Sequence, residues 1–189
     1  MDGMALSGGF ADTPREAARA FRACLEAMAR PGSLHQLAGA APPAPLSPAA
    51  GALVLTLADT TTGLCLAPSH DTPALRDWIT FHTGAPIVAP GQAVFALGTW
   101  DSLQPLDRFA LGRADYPDRS ATLIVEMPAL ASSGARLTGP GIRDSAHLSL
   151  PETEAFVQNA RLFPLGLDFF FTAGSLLAAL PRTSKVEAI

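Results

Sequence analysis

The segment LDFFFTAGSLLAAL, residues 167–180, contains the clearest strand signals in the chain. Leu167 to Thr172 is a short run of bulky apolar residues, Leu176 to Leu180 is a second one, and Ala173-Gly174 lies between them. Apolar runs of this length, separated by a glycine turn, are typical of buried β-strands. The short connection predicts that the two strands pair antiparallel, so that part of the sheet is antiparallel.

Outward from this hairpin, helix and strand signals alternate along the chain. The segment 49–58 is apolar all round and fits a buried strand or a buried helix, and Ser47-Pro48 before it favours the helix. The predicted helices are 13–30, 49–58, 72–82, 102–109 and 152–162, and the predicted strands are 33–37, 63–67, 94–97, 123–126, 136–138, 167–172 and 176–180. This alternation predicts an α/β fold in which helices cover one central mixed sheet.

The first helix has a clear start signal and a clear periodicity. Thr13 and Glu16 have the spacing of a capping box, and Pro14 occupies the first helical position. Apolar residues then repeat at steps of three and four, which predicts a single apolar face made of Ala17, Phe21, Cys24, Leu25 and Met28.

Composition excludes several classes of protein. The chain has 189 residues, a length typical of one domain, and only 16% of them are charged. A net charge of −4 and the lack of a basic run argue against nucleic-acid binding, and no apolar stretch reaches the ~20 residues of a membrane span. Cys24 and Cys65 are isolated, which predicts reduced, buried thiols in a cytoplasmic protein. The four histidines lie at least twelve residues apart, so we expect no metal site.

One segment has the features of an anion-binding turn. Thr138, Gly139 and Gly141 follow the apolar Leu137, and Arg136 precedes them. Backbone amides after a strand can form a nest for an anion, although Pro140 lacks an N–H. The alternative is a tight turn in which the glycines adopt positive φ.

Two further residues are candidates for the same anion site. His82 ends a predicted helix, where it could transfer a proton or simply interact with the helix dipole. Arg182 follows the last apolar strand, where it could bind an anion or form a structural ion pair. No phosphate-binding loop, dinucleotide-binding motif or nucleophile elbow is present, so the sequence identifies no catalytic residue.

The order of several segments resembles the PhnH family. The segments are FRACLEAMARPGSLHQL, LTLAD, FHTGAPIV, LTGPGI, FPLGLDFFFTAG and ALPRTSKVE, and the resemblance runs from about Pro14 to Glu187. Members of this family belong to the bacterial carbon–phosphorus lyase system, which uses organic phosphonates. The resemblance therefore implies one PhnH-like domain over residues 13–189, preceded by a flexible segment over residues 1–12.

The resemblance also implies a fold, partners and a function. The implied fold is a three-layer α/β/α sandwich around one mixed sheet, similar to the large domain of transferases that use pyridoxal phosphate, but without that cofactor. Lys185, the only lysine, lies near the end of the chain and is poorly placed for a Schiff base, which agrees with an absent cofactor.

The implied partners are a second copy of the chain, when the protein is isolated, and the subunits PhnG, PhnI and PhnJ. The implied function is to support formation of α-D-ribose 1-alkylphosphonate 5-triphosphate from ATP and a phosphonate, mainly by docking on these subunits. The alternative is a subunit that binds phosphate or nucleotide and contributes directly to the ribosyl transfer.

Overall fold

The structure is a computed structural model that describes residues 7–187. The α-helices are α1 (Thr13–Ala29), α2 (Pro48–Leu57), α3 (Pro73–Thr83), α4 (Trp100–Leu103) and α5 (Glu154–Arg161). The strands are β1 (His35–Gln36), β2 (Leu64–Leu66), β3 (Phe95–Thr99), β4 (Thr122–Glu126), β5 (Ala135–Thr138), β6 (Ala146–Leu148), β7 (Asp168–Ala173), β8 (Leu176–Leu180) and β9 (Lys185–Glu187). The fold is therefore mixed α/β, as the alternation of signals predicts.

The main sheet has six strands in the order β1-β8-β7-β4-β3-β2. Strands β2, β3, β4 and β7 are parallel, whereas β8 pairs antiparallel with both β7 and β1. The prediction of an antiparallel hairpin over residues 167–180 is confirmed, with Phe170 opposite Ala179. The hairpin thus joins the parallel half of the sheet to its antiparallel edge.

The prediction of a single sheet is wrong, because the described residues form a second sheet in the order β6-β5-β9. Residues 136–138 form a strand as expected, but this strand pairs with β6 and β9, neither of which the sequence predicts. In β9 only Val186 is buried, between the exposed Lys185 and Glu187. So short a strand with one buried side chain gives almost no hydrophobic periodicity to detect.

Alternate residues of the central strands contribute to two cores. On one face Leu97, Ile124 and Phe170 pack under α1, α2 and α3. On the other face Leu123 and Phe169 pack under α4, α5 and the second sheet. The central strands are therefore buried on both sides, which explains why they read as continuous apolar runs.

Helix boundaries follow their capping residues. The ambiguous segment 49–58 is helical: the Ser47 hydroxyl accepts a hydrogen bond from the amide of Ala50 at 3.2 Å, and Pro48 occupies the first turn. The start of α1 differs from the prediction, because Asp12 rather than Thr13 is the N-cap residue. The Glu16 carboxylate still reaches back, but it accepts from the amide of Asp12 at 2.9 Å.

The predicted apolar face of α1 is only partly correct. The buried residues of the helix are Ala20, Cys24 and Ala27, whereas Phe21 and Leu25 are 49% and 54% exposed. The small side chains face α2, which is itself rich in alanine, and allow the two helices to approach closely. Periodicity locates the apolar sector of a helix, but it does not show which part of that sector the fold covers.

The segment 102–109 also departs from the prediction of one short helix. It splits into the end of α4 and a 3₁₀ turn, Leu106–Arg108, because Pro105 cannot continue a helix.

Among the described residues, no helix combines the length and apolar character that crossing a membrane requires. Of the segment 1–12, which is predicted to be flexible, the first six residues lie outside the described part of the chain. Among the others, the carbonyl oxygen of Gly8 accepts a hydrogen bond from the amide of Ala41.

Candidate functional site

Polar side chains collect at the carboxyl ends of the parallel strands, where open α/β sheets commonly bind ligands. Thr99 ends β3, Glu126 ends β4, and Thr172 lies near the end of β7. Thr99 is opposite Glu126 and Glu126 is opposite Thr172 in the strand register, so the three form a row across the sheet. None of the three residues is predicted from the sequence as part of a site, although each directly follows a run of buried apolar residues.

Glu126 connects this row to the start of α2. The backbone N–H of Ser47 donates to Oε1 of Glu126 at 2.7 Å. Burial raises the pKa of the Glu126 carboxyl above its ordinary value, and hydrogen bonds from Ser47 and Thr172 oppose that shift without cancelling it. The carboxyl group thus holds the N-terminus of α2 against the end of β4.

A second polar cluster joins the loops that follow β2 and β3. His70 is 2% exposed, and its Nδ1 lies 2.8 Å from the hydroxyl of Ser69. The same hydroxyl lies 2.7 Å from that of Ser102 and accepts from the amide of Thr99 at 3.1 Å. Burial lowers the pKa of His70, which favours the neutral imidazole. These contacts fix the two loops to each other.

The predicted anion-binding turn connects β5 to the residues before β6. Its glycines adopt positive φ, 130° at Gly139 and 80° at Gly141, as a tight turn requires. A Cβ at Gly141 would lie 2.0 Å from the carbonyl oxygen of Ala29, at the C-terminal end of α1. The negative end of a helix dipole does not favour a bound anion, so packing alone accounts for this glycine.

The two predicted arginines have different environments. Arg136 donates to Glu187 across the β5–β9 pair at 2.7 Å, and both side chains are well exposed. The Arg182 side chain is 12% exposed and forms a two-pronged pair with Asp168, with an Nη2–Oδ2 distance of 2.5 Å. Arg182 also donates to the carbonyl oxygens of Pro117 and Pro164. It therefore ties the end of β8 to two loops and the start of β7.

A groove brings part of the predicted site together. It has a volume of about 320 Å³ and is lined by Pro140, Ala160, Phe163, Arg182, Thr183 and Lys185. Lys185 is exposed and lies opposite Thr138 in the β5–β9 pair, so it adds a cation that the sequence analysis did not assign to this site.

His82 does not line this groove. It faces a different cavity of about 300 Å³, together with Gly8, Gly9, Phe10, Thr13 and Leu55. Its ring packs against Trp78, with the ring centroids 5.0 Å apart. In the part of the chain that the structure describes, no cluster of three or more His, Cys, Asp or Glu side chains could hold a metal ion.

The fold and these polar groups define a small mixed α/β protein whose strand-end polar groups largely bind other parts of the same chain. The chain belongs to the PhnH family: the family model described as bacterial phosphonate metabolism protein (PhnH) matches residues 8–187. One relative, from Rhizobium meliloti (strain 1021), is 41% identical over an alignment of 192 positions that covers 96% of this chain and 95% of the relative. That relative is named alpha-D-ribose 1-methylphosphonate 5-triphosphate synthase subunit PhnH.

The exposed ion pair of Arg136 and the buried ion pair of Arg182 allow us to test how burial changes the effect of an ion pair on stability. We expect Arg182→Ala to lower the free energy of unfolding by about 3–5 kcal/mol, because it leaves the Asp168 carboxylate without its partner. Arg136→Ala, which removes an exposed pair, should lower it by less than about 1 kcal/mol. Urea denaturation of both variants would measure the difference. A loss for Arg182→Ala no larger than that for Arg136→Ala would show that burial does not strengthen the dependence of the fold on the Arg182–Asp168 pair.

The shifted pKa of Glu126 predicts a pH-dependent effect. Because the folded-state pKa is raised, this carboxyl favours folding below its ordinary pKa near 4.5 and loses that contribution as the pH rises through the folded-state value. Glu126→Gln should therefore gain stability relative to the wild type as the pH rises from 4 to 7. Denaturant titrations at each pH would test this, with Asp77→Asn, at an exposed position on α3, as the control. A stability of Glu126→Gln that stays constant or falls relative to the wild type as the pH rises would contradict the assignment.

Proposed function

We propose that this chain is a subunit of an α-D-ribose 1-methylphosphonate 5-triphosphate synthase, and that it acts mainly by docking on the other subunits. The observation that carries the proposal is the 41% identity, over 96% of the chain, to a relative named as such a subunit. In this reaction the phosphonate is attached to C1 of the ribose of ATP and adenine is released. The chain would support that reaction in the cytoplasm, within the carbon–phosphorus lyase system.

The proposed partners are PhnG, PhnI and PhnJ, and a second copy of the chain when it is isolated. The described surface contains the kind of side chains that such contacts use, since several large apolar residues are exposed. They include Phe21 and Leu25 on α1, and Leu162 and Phe163 directly after α5. Only 16% of the residues are charged, so few charged side chains are available to make the surface around these apolar residues hydrophilic.

We further propose that the fold is related to the large domain of transferases that use pyridoxal phosphate, without retaining that cofactor. A mixed sheet covered on both faces is compatible with this relation. The chain's only lysine, Lys185, lies exposed on β9 of the small sheet rather than beside the main sheet. A Schiff-base lysine would have to face a bound cofactor.

Co-purification tests the docking role. The tagged chain, expressed with PhnG, PhnI and PhnJ from the same source, should elute with all three in a fixed ratio after a moderate-salt wash. Light scattering and native mass spectrometry would give the stoichiometry. A control expression that omits the tagged chain measures background retention. Elution of the tagged chain as a free dimer would contradict the docking proposal.

A second candidate function rests on the groove beside the predicted turn. Two cations, Lys185 and Arg182, line this groove, and its volume is large enough for phosphate groups. Such a groove would position and neutralise the triphosphate or phosphonate during ribosyl transfer. Because Asp168 already pairs with Arg182, Lys185 would be the main cation available to the ligand.

Calorimetry with ATP and with methylphosphonate tests this second function. If the groove binds either compound, Lys185→Ala should weaken the affinity about tenfold while the fold is retained. Arg113→Ala, which removes an exposed arginine that does not line the groove, should leave the affinity unchanged. Absence of heat with both compounds would rule out the groove as their binding site.

A further inference from the structure

Helix α1 has an apolar sector wider than the part that the core covers. The covered part consists of the small residues Ala20, Cys24 and Ala27. Beside it, Ala18, Phe21, Leu25 and Ala29 are exposed and follow one another at steps of three and four residues. This spacing places the four side chains along one face of the helix. They form an apolar stripe that the described part of the chain leaves uncovered.

A row of arginines lies on the polar side of this stripe. Arg15, Arg19 and Arg22 follow at steps of four and three residues, so they share one face of α1 and all are exposed. Arg15 has an acidic neighbour, Asp12, at 3.5 Å. The ion pairs among residues 7–187 include neither Arg19 nor Arg22. A protein of net charge −4 thus has a local cationic row beside exposed phenylalanine and leucine side chains.

We propose that this stripe and arginine row bind an amphipathic helix of another subunit, whose apolar side chains cover Phe21 and Leu25 and whose carboxylates face Arg19 and Arg22. The inference rests on the proposed function and specifies the docking surface. Apolar side chains at steps of three and four match the way one helix packs on another. Charged flanks then select the partner and its orientation.

The charge pattern favours a different subunit over a second copy of this chain. In a symmetric antiparallel pair of α1 helices, the same flank of each helix meets its own copy. This flank carries Arg15, Arg19, Arg22 and Arg30 against only Asp12 and Glu26, each of which already pairs with an arginine of its own helix. Two such flanks therefore both have an excess of positive charge and repel each other. A partner with an acidic flank removes this repulsion and neutralises the row.

The charge pattern also favours a protein over an anionic membrane. Helices that lie on membranes combine a strongly cationic polar face with a broad apolar face. Here about half of the apolar sector already packs against the fold, and the rest of the chain brings the net charge to −4. A lipid surface would therefore attract the arginine row but repel most of the molecule.

Substitutions on the stripe test the proposal. Phe21→Ser combined with Leu25→Ser should weaken association with the purified complex of the other subunits at least tenfold. Phe81→Ser, on α3, is the matched control, because Phe81 is 57% exposed and lies on a different helix. It should change the affinity less than twofold. Circular dichroism and the thermal midpoint would verify that both variants fold, as expected for exposed positions.

Substitutions in the arginine row test the charge pattern independently. The affinity of the wild type should fall as NaCl rises from about 50 to 500 mM, because salt screens the contacts between arginines and carboxylates. Arg19→Gln combined with Arg22→Gln should lower the affinity at low salt and flatten this dependence. Arg113→Gln combined with Arg143→Gln, at two exposed positions outside α1, should retain the wild-type slope.

The outcomes separate the docking surface from the docking function. If the wild type does not associate with the other subunits, the proposed function fails and this inference fails with it. If the wild type associates and the stripe variant binds equally well, only the α1 surface is wrong. Conversion of a homodimer to a monomer by the stripe substitutions would identify a self-association surface instead. Binding to phosphatidylserine vesicles that these substitutions abolish, with subunit association intact, would identify a membrane surface and also overturn the proposal.

Discussion

Leu123, Ile124 and Val125 of β4 are buried in succession, so this strand needs apolar cover on both of its faces. Helices α1 to α3 supply it on one side, and α4, α5 and the small sheet supply it on the other. Polar side chains can then be accommodated only where the central strands begin or end. This is where Glu126 and Asp168 lie: Glu126 is at the carboxyl end of β4, and Asp168 is at the amino end of the neighbouring parallel strand β7.

Both carboxyl groups bind other parts of the chain at these strand ends. Glu126 accepts from the start of α2, and Asp168 pairs with Arg182, which in turn bonds two loops. The polar groups of this small core are therefore largely engaged within the chain. Features that could act on other molecules are left at the periphery, in the groove beside Lys185 and on the exposed faces of the helices. This distribution suits a protein that works as one subunit among several.

Local signals predicted much of the fold, because they depend on neighbouring residues. The hairpin at 167–180 and the helix start at Ser47-Pro48 follow from turn and capping chemistry. The small sheet could not be predicted in this way, since Arg136 pairs with Glu187, 51 residues away. The exposure of Phe21 could not be predicted for a related reason, because it depends on which part of the α1 surface packs against α2. For the candidate site, Gly139 and Gly141 adopt the positive φ of the tight turn given as the alternative, and Arg182 and His82 line different cavities.

The edges of the main sheet restrict how another protein can contact it. One edge strand, β1, has two residues, and the other, β2, has three. On its outer side β2 also exchanges hydrogen bonds with Pro86 and Val88, so those backbone groups are occupied. A partner cannot add a further strand of useful length at either edge, because too few free amides and carbonyls remain. Recognition at the edges of the main sheet therefore depends on side chains, and surface substitutions can change its specificity without changing the backbone.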